Sequence, residues 1–339
     1  MISSETNLAP DILQLLPATG PLLDIALAIG ALEASRKGSA RVRDKGEDPK
    51  RARLVIYGRS IRAFRDEIAT PGFQPAEKTL WITFLLGLFE LMSETSSTEA
   101  WSMHMIQGLG QVIRYMTLIA EPIRLTKELL NIYRGLEISR MILYGTDTML
   151  ALGQDLGRSD ASDCPKLVMF QELMLEASLL SHRMFRELST CTHGSSIATA
   201  WASRGDDFFR KLRDARLNIE NLSHLDDPFE KLAMANWCAL CLYFCRNFSY
   251  FTAFAGVKTP ALTVDETENL ISTILDQLET LILRQEVHGV FLLYPLRVAG
   301  TSARSISEKG RIIKALKDVY TQGLAVSEWI VTDLQHLWE

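Results

Sequence analysis

The chain has 339 residues, 47% of them hydrophobic and 23% charged, with only 11 prolines; this balance excludes disordered and collagen-like classes and leaves room for one large core or two smaller ones. Its formal net charge is −5, so the chain as a whole offers no basic field to a phosphate backbone, which argues against unaided DNA binding. Five cysteines are an odd and sparse set at this length and suit a reducing compartment better than a disulfide framework.

The first residues, Met1 to Glu5, carry no basic n-region and do not read as a signal peptide. Pro21 to Ala34 reads as a helix: it opens on a proline suited to a first turn and places apolar residues at helical spacing. Lys37 to Arg53 is polar, with Gly38, Gly46 and Pro49, and reads as an exposed connection. Its basic run suits either nuclear import or a solvated loop, and the interleaved acids favour the loop. Val55 to Thr70 is a second amphipathic helix, with Tyr57, Ile61, Phe64 and Ile68 at three- and four-residue steps, ended by Pro71-Gly72-Phe73-Gln74-Pro75. Glu77 to Met92 is apolar on every side, which predicts a buried central helix or one that lines a cavity.

After the loop Ser93 to Thr98, helical period resumes over Trp101 to Met116 and again over Leu125 to Leu152. The stretch 157–165 is the most polar break in the middle of the chain and the candidate subdivision of an otherwise single domain over 1–339. Five further helical patterns cover Lys166–Leu188, Ile197–Leu217, Asp227–Phe254, Asp265–His288 and Lys309–Trp338. Val290–Tyr294 is the one strand-like run, and Pro295 behind it favours helix or irregular structure. The apolar runs Leu80–Phe89 and Leu22–Leu32 fall short of the roughly 20 residues a membrane span needs. The expectation is an all-α, irregular multi-helix array in a soluble, intracellular protein with no membrane contact.

Few residues suggest chemistry. Cys238, Cys241 and Cys245 share one helical face, but within Asn-Trp-Cys-Ala-Leu-Cys-Leu-Tyr-Phe-Cys no fourth ligand closes a tetrahedral metal site. They read as a small apolar core stripe. The six histidines form no four-residue pair and no HExxH, and GxSxG, GxGxxG and GxxxxGK[ST] do not occur. The sequence therefore predicts no metal, no cofactor and no catalytic residue, and an enzyme is the less favoured reading.

Three segments add a resemblance. The first runs from Tyr57 through the apolar helix ending in Phe89-Glu90 to Trp101-x2-His104-x3-Gly108. Tyr133-Arg134 with Glu137 is the second, and Pro295-Leu296-Arg297-Val298-Ala299-Gly300, then Gly323 and Leu334-x3-Trp338, the third. In order and spacing over residues 22–338 they resemble the fungal-specific transcription factor domain, the regulatory domain of fungal zinc-cluster transcription factors, while about 155–285 matches only in general character. The resemblance implies an irregular α-helical array, a nuclear location (alternatively the cytoplasm) and control of a metabolic or secondary-metabolite gene set. Members usually begin with a six-cysteine zinc module; here only Cys164 precedes residue 191, so DNA reading is not encoded in these residues. DNA contact then falls to a DNA-binding partner protein or a homo-oligomer.

The ligand-pocket candidates are Trp101, His104, Tyr133, Arg134 and Arg297. Each also has a packing role: Trp101 and His104 share a helical face with Gly108, and Arg297 in its apolar turn serves either a salt bridge or an anionic effector. A rival reading is a repurposed helical scaffold whose aromatic- and methionine-rich interior binds or transforms a hydrophobic metabolite.

Overall fold

The computed structural model describes residues 16, 19–36, 49–93, 108, 110–112, 133–140, 142, 165–189, 196–220 and 227–339. Among these the chain is an all-α multi-helix array with no strand. It divides into two compact units, one of Met1–Tyr133 with Tyr320–Trp329, the other of Arg134–Val319 with Ile330–Glu339. The division between them falls after Tyr133, and the polar stretch 157–165 lies, up to residue 164, outside the described residues.

The first unit is built on α1 (Pro21–Arg36), α2 (Pro49–Ile68) and α3 (Glu77–Met92), with α1 packed along both of the others. Helix α1 buries Leu22, Ile25, Ala28 and Leu32, a stripe at the helical period. Its first-turn carboxylate Asp24 accepts two hydrogen bonds from Arg59 of α2, at 2.8 and 2.5 Å. The Ser60 hydroxyl donates to the carbonyl of Pro21 at 2.9 Å. Helix α2 starts at Pro49, earlier than its hydrophobic period predicts. A proline loses nothing at a first helical position, so residues 49–53, which read as loop, form its first turns. Helix α3 is buried on nearly every side, as its composition predicts, including Leu80, Trp81, Ile82 and Phe89. Tyr57 stacks on Phe89 with ring centroids 4.4 Å apart, and its hydroxyl donates to Glu90 at 2.6 Å.

The same unit takes in residues 320–329. Arg36, at the end of α1, donates to the carbonyls of Tyr320 and Thr321 at 2.9 and 3.0 Å. Gly323 adopts φ +125°, and a Cβ there would stand 2.6 Å from the Arg36 guanidinium. This glycine splits the predicted run Lys309–Trp338 into α9 (Ile306–Thr321) and α10 (Val326–Trp338).

In the second unit α4 (Pro165–Leu188), α5 (Ser196–Glu220), α7 (Val264–Arg284) and α8 (Leu293–Ser302) pack around α6 (Pro228–Tyr250). Asp227 caps α6 by accepting from the Phe229 amide at 2.8 Å, with Pro228 next to it at the first helical position. Between Ala233 and Phe248 most of α6 is buried, including Trp237, Leu240, Phe244 and all three cysteines. Gly205 of α5 lets Phe248 in, since a Cβ there would stand 2.3 Å from the ring. Helix α7 opens on a capping box between Thr263 and Glu266 and ends at Gln285 in the left-handed region, φ 54°.

The segment Pro295–Gly300, expected as a turn, is helical. Pro295 sits in the first turn of α8, where its missing N–H has no helical partner to lose. A single 3-10 turn, Gly289–Phe291, precedes it. Residues 133–140 and 142 are helical as well, and within them Arg140 grips Glu137 through two hydrogen bonds of 2.8 and 2.9 Å, both side chains buried. No described helix is long and apolar enough to cross a membrane.

Two substitutions test this packing. Gly323→Ala forces a side chain into a glycine-only backbone region and against Arg36, and should cost about 1–3 kcal/mol in urea unfolding. Tyr294, in α8, is buried and its hydroxyl has no hydrogen-bond partner among the described residues. Tyr294→Phe should therefore leave stability unchanged or raise it by up to about 1 kcal/mol; a clear loss would mean that the hydroxyl is bonded.

Candidate functional site

Within the second unit α5, α6 and α7 line a cleft of about 800 Å³. That volume lies in the range of small-molecule sites. Helix α5 contributes Phe209, Arg213 and Arg216, spaced four and three residues apart on one face. Helix α6 contributes Met234, Trp237, Cys238 and Cys241 by the same period. The opposite wall is polar: Glu266, Asn269 and Thr273 of α7 face the opening together with the apolar Leu270.

Aromatic rings fix the two arginines. The Arg213 guanidinium lies 4.6 Å above the Phe209 ring and that of Arg216 lies 5.1 Å above Trp237. Each such contact contributes about 0.5–1 kcal/mol at an exposed site. Trp237 is itself anchored, its indole N–H donating to the carbonyl of Leu212 at 2.8 Å. Arg213 approaches Glu266 at 4.0 Å with both side chains about half exposed, a pair that contributes little to stability. Glu266 is more firmly engaged elsewhere. It accepts from the Thr263 amide at 2.8 Å, and these cap hydrogen bonds hold its carboxyl below the usual range and therefore ionised.

The floor is made of thiols. Burial pushes Cys238 up to about 12 against the opposing pull of Arg216, and it raises Cys241 well above 9.0. Cys245, one turn further along α6, is also pushed up to about 12 by burial. At neutral pH these thiols are protonated, which makes them apolar wall and poor nucleophiles. All three are free. Among the described residues no group of three histidine, cysteine or acidic side chains is placed to hold a metal ion.

The residues singled out from the sequence lie elsewhere. Trp101 and His104 are outside the described residues. Tyr133 is 2% exposed and belongs to the first unit. Arg134 lies 3.9 Å from Glu172 of α4, and Arg297 donates to Asp333 of α10 at 3.2 Å. None of these three lines the cleft. Arg213 and Arg216 escaped notice because a surface arginine pair on an amphipathic helix is commonplace, and only the aromatic partner on the neighbouring helix distinguishes Arg216.

The raised thiols give a pH dependence with a definite sign. The folded chain keeps Cys238 and Cys245 protonated up to about 12, whereas the unfolded thiol loses its proton near 9.0. Their contribution is complete below pH 9 and is lost as pH rises from 9 toward 12. The urea midpoint should hold level from pH 7 to 8.5 and fall above 9, and Cys238→Ala with Cys245→Ala should flatten the early part of that fall.

With this geometry in hand, comparison with family models, with curated proteins and with solved structures finds no match to the chain.

Proposed function

We propose that the chain is a transcription-regulatory module that takes a small-molecule effector into the cleft between α5, α6 and α7. The observation that carries this reading is the chemistry of the cleft wall. Among the described residues its ionisable groups are two arginines, a carboxylate held ionised by the α7 cap and two protonated thiols. Such a set binds and orients, and none of its members is poised to exchange a proton near pH 7. The sequence resemblance to the fungal regulatory domain supplies the context: a nuclear protein controlling a metabolic or secondary-metabolite gene set. The net charge of −5 agrees with DNA contact made by a DNA-binding partner protein or through a homo-oligomer.

The test has two stages. Purified protein is screened by thermal shift against fractions of host extract, where a ligand at 100 times its Kd stabilises by about 2.7 kcal/mol. A compound that raises the Tm is then given to cells carrying this chain fused to a heterologous DNA-binding domain, with a reporter gene. The expected result is a compound recovered unchanged by mass spectrometry and a reporter response of fivefold or more. Recovery of an altered compound at more than one turnover per protein would replace regulation by catalysis.

A further inference from the structure

From the way the cleft already engages its own charges we propose that its ligand is neutral: a flat, largely apolar molecule lying against Met234, Cys238 and Leu270, with one hydroxyl placed between Asn269 and Thr273 of α7. The inference rests on the effector reading of this cleft and narrows it to a chemical class.

Charge is the first argument. The charged side chains on the described lining are Arg213, Arg216 and Glu266, and each is engaged. Arg213 lies over Phe209 and faces Glu266 at 4.0 Å. Arg216 lies over Trp237 and has a further partner besides. Glu266 accepts from the Thr263 amide at 2.8 Å, which keeps its carboxylate at the head of α7. A ligand anion would have to approach that carboxylate, and a ligand cation the two guanidiniums. Either would give up hydration to a wall whose own charges are satisfied, and a desolvated charge without a partner is costly. A neutral molecule loses far less.

The floor is the second. Met234, Cys238, Cys241 and Leu270 present a thioether, two thiols kept protonated by burial and an aliphatic chain. Sulfur in these forms is polarisable and packs favourably against aromatic rings. The floor therefore suits a flat, unsaturated body and offers nothing to a charge.

The third argument is the polar side of the wall. Asn269 and Thr273 stand one turn apart on one face of α7, and both line the cleft. The Thr273 hydroxyl donates to the backbone carbonyl of Asn269 at 2.8 Å, so its oxygen meets a ligand as an acceptor. The exposed Asn269 side chain carries an amide whose N–H groups donate. A ligand hydroxyl satisfies both at once, donating to Thr273 and accepting from Asn269. An ether oxygen in its place accepts only and leaves Thr273 without a donor.

Four probes sharing one flat fluorescent ring test the class: 1-pyrenemethanol, its methyl ether, 1-pyrenecarboxylate and 1-pyrenemethylamine, each titrated against the full chain by energy transfer from tryptophan and by thermal shift. The alcohol should bind about fivefold tighter than the ether, the margin of a hydrogen-bonded hydroxyl at a partly exposed site. It should bind roughly tenfold or more tighter than the carboxylate or the ammonium. Raising salt from about 0.05 to about 0.5 M should leave the affinity for the alcohol unchanged. Asn269→Ala with Thr273→Val should erase the margin over the ether and leave the ether's own affinity as it was, which places the probe in this cleft. If that variant does not fold, the ratios among the four probes on the wild-type protein decide alone. Binding of either charged probe as tightly as the alcohol overturns the neutral class and leaves the cleft as a ligand site. Equal binding of alcohol and ether, or a margin that survives in the variant, overturns the hydroxyl seat. Failure of all four to bind or to raise the Tm overturns the effector reading as well.

Discussion

The second unit depends on one constraint: α6 is apolar through most of its circumference and has to be covered on every side. Its middle is a continuous run of Ala233, Trp237, Leu240, Phe244 and Phe248 with the three cysteines between them, all but removed from solvent. A helix of that kind cannot lie at a surface, so α4, α5, α7 and α8 must gather round it. Coverage is unequal. Helix α7 packs against α6 more extensively than α5 does, and the cleft is the face of α6 from Met234 to Cys241 that the two neighbours line without filling. The same property that assembles the unit therefore also gives the cleft its apolar floor.

Burying so much of one helix leaves few places for polar atoms, and apart from groups such as the Tyr294 hydroxyl several of those present are paired. The Trp237 indole finds the carbonyl of Leu212 and the Asn247 amide finds the Ser181 hydroxyl at 2.8 Å. The Trp338 indole donates to the carbonyl of Gly300 at 2.9 Å. Glu137 and Arg140 bring two charges inside, which is tolerable because the guanidinium meets the carboxylate edge to edge. Bonds of this kind contribute about 1 kcal/mol each when made and cost more when one partner is removed. They fix which rotamers the unit uses more than they add to its stability.

Much of the helical frame was legible in the residues themselves, because its boundaries are marked by local chemistry. Glu77–Met92 is bracketed in the sequence by the Pro71–Pro75 break and a run of polar residues, and the predicted start of α7 at Asp265 falls one residue from the observed Val264. The cysteine stripe was readable because its spacing coincides with the burial of Trp237, Leu240, Leu242, Phe244 and Phe248. The start of α2 was not, since the charged residues after Pro49 carry no hydrophobic period and only the helix already under way recruits them. Nor was the cleft. Phe209, Arg213 and Arg216 lie 12 or more residues before α6 and about fifty before α7 in the chain, and nothing local says that a tryptophan on one helix sits under an arginine on another. The residues chosen from the resemblance lie in other segments, while the cleft falls in the middle stretch where that resemblance was least distinct.

The discontinuity of the first unit bears on how the protein is made. Arg36 reaches the carbonyl of Tyr320 across 284 positions of sequence, and residues 320–329 belong with the helices formed at the start of the chain. On a ribosome adding about 5–20 residues per second, α1 to α3 emerge well before that closing segment exists. For that interval Arg36 has its α1 neighbour Glu33 but not the carbonyls it later meets, and everything from Arg134 to Val319 has been synthesised before the first-begun unit is complete. Synthesis of residues 320–329, more than the appearance of the first helices, therefore sets the earliest moment at which the first unit can become native.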